Sequence, residues 1–167
     1  MRRSLDEKGL TLLEVLVAAT LMSLIIVGSL LLFDQGVRAW CWTEQEAEVV
    51  DNLCIALDRM VYDVRVAREV YFPDEGETIE VSNGTGTNPV LGIGVPSVGM
   101  VYYEVEYDGG MAELEREVNG GANRPVTTRM VTQVWVSRPS EALVKIELRG
   151  KGGVSVRTAA YARAFSP

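Results

Sequence analysis

The chain has 167 residues, and its longest apolar run extends from Leu10 to Phe33 with a single charged residue, Glu14. A helix over this run would measure roughly 36 Å at about 1.5 Å per residue. The hydrocarbon core of a bilayer is about 30 Å thick. The pattern therefore predicts one membrane-spanning helix over residues 10–33.

A second helical pattern follows, with polar residues interleaved. Arg59 and Asp63 lie four apart among the charged residues, and we interpret them as an ion pair on a solvated face. Pro73 is expected to end the helix. We therefore predict that residues 34–72 continue the first helix as an amphipathic segment. Its apolar stripe, at three- and four-residue spacing, consists of Val50, Leu53, Leu57, Met60, Val61, Val64, Ala67 and Tyr71.

After Pro73 the pattern changes to short alternating segments separated by turn residues, which predicts strands. The turns are predicted at 83–89, 108–110, 119–125, 138–140 and 150–153. The fold class is therefore α+β, a long N-terminal helix packed on an antiparallel β head over 73–167, with 43–167 as the soluble globular domain. The predicted strands are Thr78–Ser82, Val98–Tyr107, Met111–Val118, Met130–Val136, Ala142–Leu148 and Val154–Phe165.

Charge constrains orientation and partners. The formal net charge is -7. The segment 1–9 contributes +1, from Arg2, Arg3 and Lys8 against Asp6 and Glu7, so the remainder carries -8. Basic residues before a membrane helix favour the cytoplasmic side, which places the β head outside the cytoplasm. The acidity argues against a nucleic-acid-binding surface.

Composition also limits the chemistry. The chain has no histidine, so no Ser/His/Asp or Cys/His catalytic set can form. We predict a protein that is not an enzyme, with no catalytic residue, cofactor or metal site. Asp74-Glu75-Gly76-Glu77 could offer oxygens to Ca²⁺, but its spacing matches no known calcium loop. Asn83-Gly84-Thr85 fits a short glycosylation pattern of little weight. Gly92-Ile93-Gly94 lacks the lysine and helix of a phosphate loop.

The predicted helix contains two cysteines and two neighbouring tryptophans. Cys41 and Cys54 would lie about 20 Å apart on one helix, too far for a disulfide. We expect free thiols, with Cys54 in the apolar stripe. Two placements are open for Trp40 and Trp42: at the membrane interface, or packed against the β head.

The start of the apolar run carries a motif. Lys8-Gly9, followed by Leu-Thr-Leu-Leu-Glu and a spanning-length helix, resembles the N-terminus of type IV pilins and type II secretion pseudopilins. The resemblance implies that residues 1–9 are a leader, that a prepilin peptidase cuts between Gly9 and Leu10, and that Leu10 is N-methylated. It also implies that Glu14 guides subunits into a filament. Two departures are leucine where phenylalanine is commoner, and no proline in the middle of the helix.

Glu14 has a physical reason to take part in assembly. A carboxylate near the membrane interface needs a partner, and the apolar run contains no cation. Cleavage after Gly9 creates an α-amino group in each copy, with which the Glu14 carboxylate of a neighbour could pair. Two other interpretations are an ordinary membrane anchor and a secretory signal peptide. The latter has a shorter apolar core, and Ala18-Ala19-Thr20 is a poor cleavage site.

The resemblance also implies partners and a position. The partners are other major and minor pilins or pseudopilins, the prepilin peptidase, an inner-membrane assembly platform, and lipid before assembly. The head looks most like minor pilins of the W type or J-type pseudopilins, which suggests the filament tip or assembly priming in a pilus, secretion or competence system. The alternatives are a tip adhesin or uptake module, and a plain single-pass anchored protein.

Overall fold

The computed structural model describes residues 11–82, 86–108 and 111–163. The chain divides into two units, the first ending at Glu44 and the second beginning at Gln45. A single helix, α1 (Leu12–Val66), contributes to both. Within the described ranges, α1 is the one helix that is long and apolar enough to cross a membrane, and its apolar segment is the N-terminal part.

The helix ends six residues before the predicted boundary at Phe72. Residues Glu69–Phe72 form strand β1 instead. The Arg68 N–H donates to the Gly94 carbonyl at 2.8 Å, and Val70 is buried opposite Ile93. The prediction is therefore wrong for 67–72, because pairing with a neighbouring strand satisfies this backbone and buries Val70. Pro73 also disfavours helical backbone at Phe72 itself.

Nine strands are described, and all their pairings are antiparallel. This confirms the predicted α+β class. After β1 the strands are β2 (Thr78–Ser82), β3 (Gly86–Val95), β4 (Gly99–Asp108), β5 (Met111–Val118), β6 (Arg124–Pro125), β7 (Val131–Ser140), β8 (Leu143–Gly150) and β9 (Ser155–Tyr161).

Strand β3 is absent from the sequence prediction, which assigned 83–89 to a loop. Gly92 and Gly94 weaken its strand propensity. Their place in the sheet is explained by their neighbours: a Cβ on Gly92 would lie 2.7 Å from the Phe72 ring, and one on Gly94 would lie 3.5 Å from the Tyr71 ring. Strand β7 also continues through 138–140, where a turn was predicted.

The sheet consists of two four-stranded halves joined at one point. The first half has the order β1-β3-β4-β5, and the second half has the order β2-β7-β8-β9. Their link is the single pair Ala112↔Val131. Buried residues of both halves of the sheet form one core with the last five turns of α1. The helix contributes Val49, Leu53, Ala56, Leu57, Met60, Val61 and Val64.

Candidate processing and assembly site

The predicted assembly residue, Glu14, lies in the first turn of α1. Thr11 directly precedes α1, and its N–H and hydroxyl donate to Glu14 Oε2 at 2.9 and 3.1 Å. In return the Glu14 N–H donates to Thr11 Oγ1 at 3.3 Å. This reciprocal arrangement is a capping box, which satisfies backbone donors that have no partner within the helix.

The capping box identifies Thr11 as a residue that the sequence reasoning missed. The signal was present, because a threonine followed three residues later by a glutamate before an apolar run is typical of a helix start. Among the residues that the structure describes, Thr11 is therefore the partner of the Glu14 carboxylate within one chain. Gly9 and Leu10, where cleavage is predicted, lie outside the described residues.

From residue 15 to residue 33 the helix presents mainly apolar side chains on all sides. Its residues from Leu12 to Phe33 are exposed apart from partly covered Gly28. A helix that is apolar all round suits lipid or a bundle of similar helices. Asp34 and Arg38 form an exposed ion pair at 3.0 Å just past this segment.

The tryptophans and cysteines that follow lie on the helix surface. Trp40 and Trp42 are each 74% exposed. Cys41 and Cys54 are free thiols, as predicted. Cys54 is exposed, however, so the prediction that it belongs to the apolar stripe is wrong. The buried stripe includes Val49, Leu53 and Leu57, and Cys54 lies beside it on the exposed surface of the helix.

Asp63 was predicted to be a solvated surface residue, and this is also wrong. It is 1% exposed, and its Oδ2 accepts hydrogen bonds from the Tyr103 hydroxyl and Arg116 Nε, both at 2.7 Å. Arg59 Nε, the predicted partner, lies farther away at 3.7 Å. Asp63 follows Met60 by three positions, so helical periodicity places it on the core side.

Burial and charge act together on the groups around Asp63. Burial raises the pKa of the Tyr103 hydroxyl, and the adjacent Asp63 carboxylate raises it further. Burial alone would lower the pKa of Arg116, but the hydrogen bond and charge of Asp63 outweigh this and raise it. The network therefore contains a neutral tyrosine and a charged arginine, and it joins α1 to β4 and β5.

The minor motifs have structural roles or lie outside the described residues. Glu77 Oε2 accepts from the Asp74 N–H at 3.0 Å, which closes the acidic turn on itself. In the part of the chain that the structure describes, no group of acidic or cysteine side chains could hold a metal ion. Asn83-Gly84-Thr85 is not among the described residues.

Comparison with known proteins supports the N-terminal resemblance. A family model described as the prokaryotic N-terminal methylation motif matches residues 5–30. Comparisons with curated proteins and with solved structures found no significant match. The motif match supports the type IV pilin and pseudopilin superfamily, and it points to a structural subunit rather than an enzyme.

Proposed function

We propose that this protein is a minor pilin or pseudopilin that prepilin peptidase cuts between Gly9 and Leu10. Leu10 is then N-methylated, and the protein enters a type IV pilus or type II secretion pseudopilus. The observation that carries the proposal is the methylation motif at 5–30, which ends inside the exposed apolar part of α1. We place this subunit at the tip of the filament or in the priming of its assembly.

The basic leader supports a topology for this subunit. Arg2, Arg3 and Lys8 favour a cytoplasmic N-terminus, and the β head then lies outside the cytoplasm. Before assembly the apolar part of α1 would lie in lipid. In the filament the same surface would contact helices of other pilins, whose packing replaces lipid contacts.

The capping box refines the proposed role of Glu14. Because Thr11 already donates to this carboxylate, a hydrogen-bonded Glu14 costs less to insert in lipid than a free one would. The Leu10 amine of a neighbouring subunit would add a charge partner without breaking the box, since a carboxylate accepts several hydrogen bonds. Glu14 would then order the helix start in each chain and contact the next chain.

The first experiment is the intact mass and N-terminal sequence of the protein from its native membrane. N-methylated Leu10 at the N-terminus is the expected result. A chain that still begins at Met1, in cells with an active prepilin peptidase, would refute the proposal and leave a plain membrane anchor.

A second experiment separates the two roles of Glu14. Glu14→Gln retains an acceptor for Thr11 but removes the charge, whereas Thr11→Val removes the hydroxyl and retains the charge. If pairing with the Leu10 amine drives assembly, Glu14→Gln should abolish entry into filaments and Thr11→Val should reduce it less. Normal entry of Glu14→Gln would show that the charge has no part in assembly.

A further inference from the structure

Five glutamates lie on one side of the β4–β5 ladder, opposite the core. Burial alternates along both strands, with Val101, Tyr103 and Val105 of β4 fully buried on the core side. The register places Glu104 opposite Glu115, and Glu106 opposite Glu113. Like charges directly opposite each other destabilise an antiparallel pair. This surface, the glutamate face, comprises Glu104, Glu106, Glu113, Glu115 and Glu117.

Neighbouring groups compensate only part of this charge. Asn123 Nδ2 donates to Glu115 Oε2 at 2.9 Å and to Glu104 Oε2 at 3.3 Å. Arg129 Nε lies 3.7 Å from Glu113 Oε2. An amide adds no charge, and within the described ranges the contacts of this face include one arginine, which cannot balance five carboxylates. The glutamate face therefore remains strongly negative.

The outer side of the β8–β9 ladder has the opposite sign. Lys145, Arg149 and Arg157 are exposed there, and we name these three residues the basic face. One carboxylate, Glu147, lies among them opposite Arg157. The guanidinium of Arg149 is held in place, because it lies 5.1 Å from the Trp135 ring centroid and donates to Gln133 Oε1 at 3.0 Å.

We propose that the glutamate face of one copy of this chain docks on the basic face of a second copy. The two faces carry opposite charge, and both are two-stranded antiparallel ladders with side chains about 7 Å apart along a strand and about 5 Å apart across it. Charge complementarity of this kind selects the partner and its register.

The contact joins two different surfaces of the chain. If only one glutamate face and one basic face meet in a pair of copies, each copy retains one face for a further neighbour. This inference rests on the proposed function, because the assembly of processed subunits into a filament would bring copies of the chain together. It further predicts that each assembly contains more than one copy of the chain.

Cysteine cross-linking tests the geometry of the contact in the full-length protein. In a Cys41→Ser, Cys54→Ser background, one tagged chain carries Glu115→Cys and a differently tagged chain carries Arg157→Cys. Mild oxidation of membranes that contain both chains should give a mixed disulfide dimer. Membranes that contain only one of the two variants should give little dimer. A dimer of Glu115→Cys chains alone would overturn the proposal, since it would place glutamate faces together.

Charge reversal tests the cause of the contact. Lys145→Glu with Arg149→Glu, in the chain that carries Arg157→Cys, should reduce the mixed dimer roughly tenfold. Glu104→Lys with Glu106→Lys in the partner chain should restore it. Arg65→Glu with Arg68→Glu is the matched control, because it changes the net charge equally at two exposed helix-end positions off both faces. Equal loss in the control, or no restoration, would refute the complementarity.

Two readouts keep this inference separate from the proposed function. The intact mass of each cross-linked sample reports whether the chain is cut after Gly9. A processed chain without mixed dimers would overturn the docking alone, and mixed dimers of an unprocessed chain would overturn the pilin proposal alone. A basic face that captures only a different protein, with no mixed dimer, would also refute docking between copies.

Discussion

At the scale of single residues, Asp63 is the buried carboxylate that connects α1 to the sheet. It is a buried carboxylate whose Oδ2 accepts two hydrogen bonds, from Tyr103 and Arg116. Removing one member of such a network leaves the other members buried without full compensation. The same atoms join α1 to β4 and β5, so their loss would weaken the attachment of the helix to the sheet.

We expect Asp63→Asn to lower the free energy of unfolding of the second unit by about 2–4 kcal/mol. The substitution retains the shape and one acceptor but leaves the Arg116 charge without its counter-ion. Urea unfolding of the full chain in detergent, followed by near-ultraviolet circular dichroism, measures the change. Arg59→Ala is the control and should cost less than about 1 kcal/mol, because Arg59 is half exposed. Equal effects of the two substitutions would contradict the network.

The raised pKa of Tyr103 predicts a loss of stability in alkali. In the unfolded chain a tyrosine titrates near pH 10, and in the folded protein burial and Asp63 raise its pKa above that value. The stabilisation is therefore complete below about pH 10 and declines as the pH rises further, because the unfolded chain releases the proton first.

Tyr103→Phe should reduce this decline, while at pH 8 it should cost about 1 kcal/mol for the lost hydrogen bond. The measurement is the unfolding midpoint as a function of pH between about 8 and 12. Tyr62→Phe provides the comparison, since Tyr62 is 59% exposed. An unchanged slope in Tyr103→Phe would mean that other groups, such as the half-buried Tyr107, cause the alkaline decline.

At the scale of elements, α1 packs closely on the sheet at the end of β8. Gly150 is buried, and a Cβ placed on it would lie 2.4 Å from Val49 Cγ1 and 3.1 Å from Leu53 Cδ1. The absence of a side chain therefore permits close packing of α1 on the sheet. Strand propensity alone would disfavour glycine at this position.

Gly150→Ala should destabilise the second unit by about 1–3 kcal/mol, because one methyl group forces the helix or the strand to shift. The assay is the same urea unfolding. Gly36→Ala adds an identical methyl group within α1, where a Cβ would meet nothing within 4 Å. That control should leave the second unit unchanged and raise local helix propensity by up to about 1 kcal/mol. A neutral Gly150→Ala would show that Val49 and Leu53 can move aside.

At the scale of the whole molecule, cleavage and charge are linked. The segment Met1–Gly9 carries a net +1 in a chain of net charge -7 and isoelectric point near 4.7. Removal of this segment replaces one terminal amine with another and leaves a more acidic protein. The mature form should therefore focus at a lower pH than the precursor. Isoelectric focusing of membranes with and without active peptidase tests this, and an identical position would indicate that the leader is retained.

The local pattern of apolar and polar residues predicted most of the elements, but it missed one strand and the end of the helix. The apolar run and the antiparallel strands β2, β4, β5, β7, β8 and β9 were predicted, because burial on one face imposes a periodicity that can be read from the residues. Strand β3 and the end of α1 were missed together. Val70 pairs with Ile93, and each segment is extended because the other is present. Such pairing has no signal in either segment alone.

The sequence by itself determined the N-terminal apolar helix, the methylation motif, the acidic charge and the α+β class, since each depends on residue type and spacing within a short window. Only the tertiary structure decided that Asp63 is buried beside Tyr103 and Arg116, which lie 40 and 53 positions away. It also decided that glutamates from β4 and β5 share one face and cations from β8 and β9 share another. These are contacts between distant segments, and they follow from register and burial, which a single stretch of sequence does not specify.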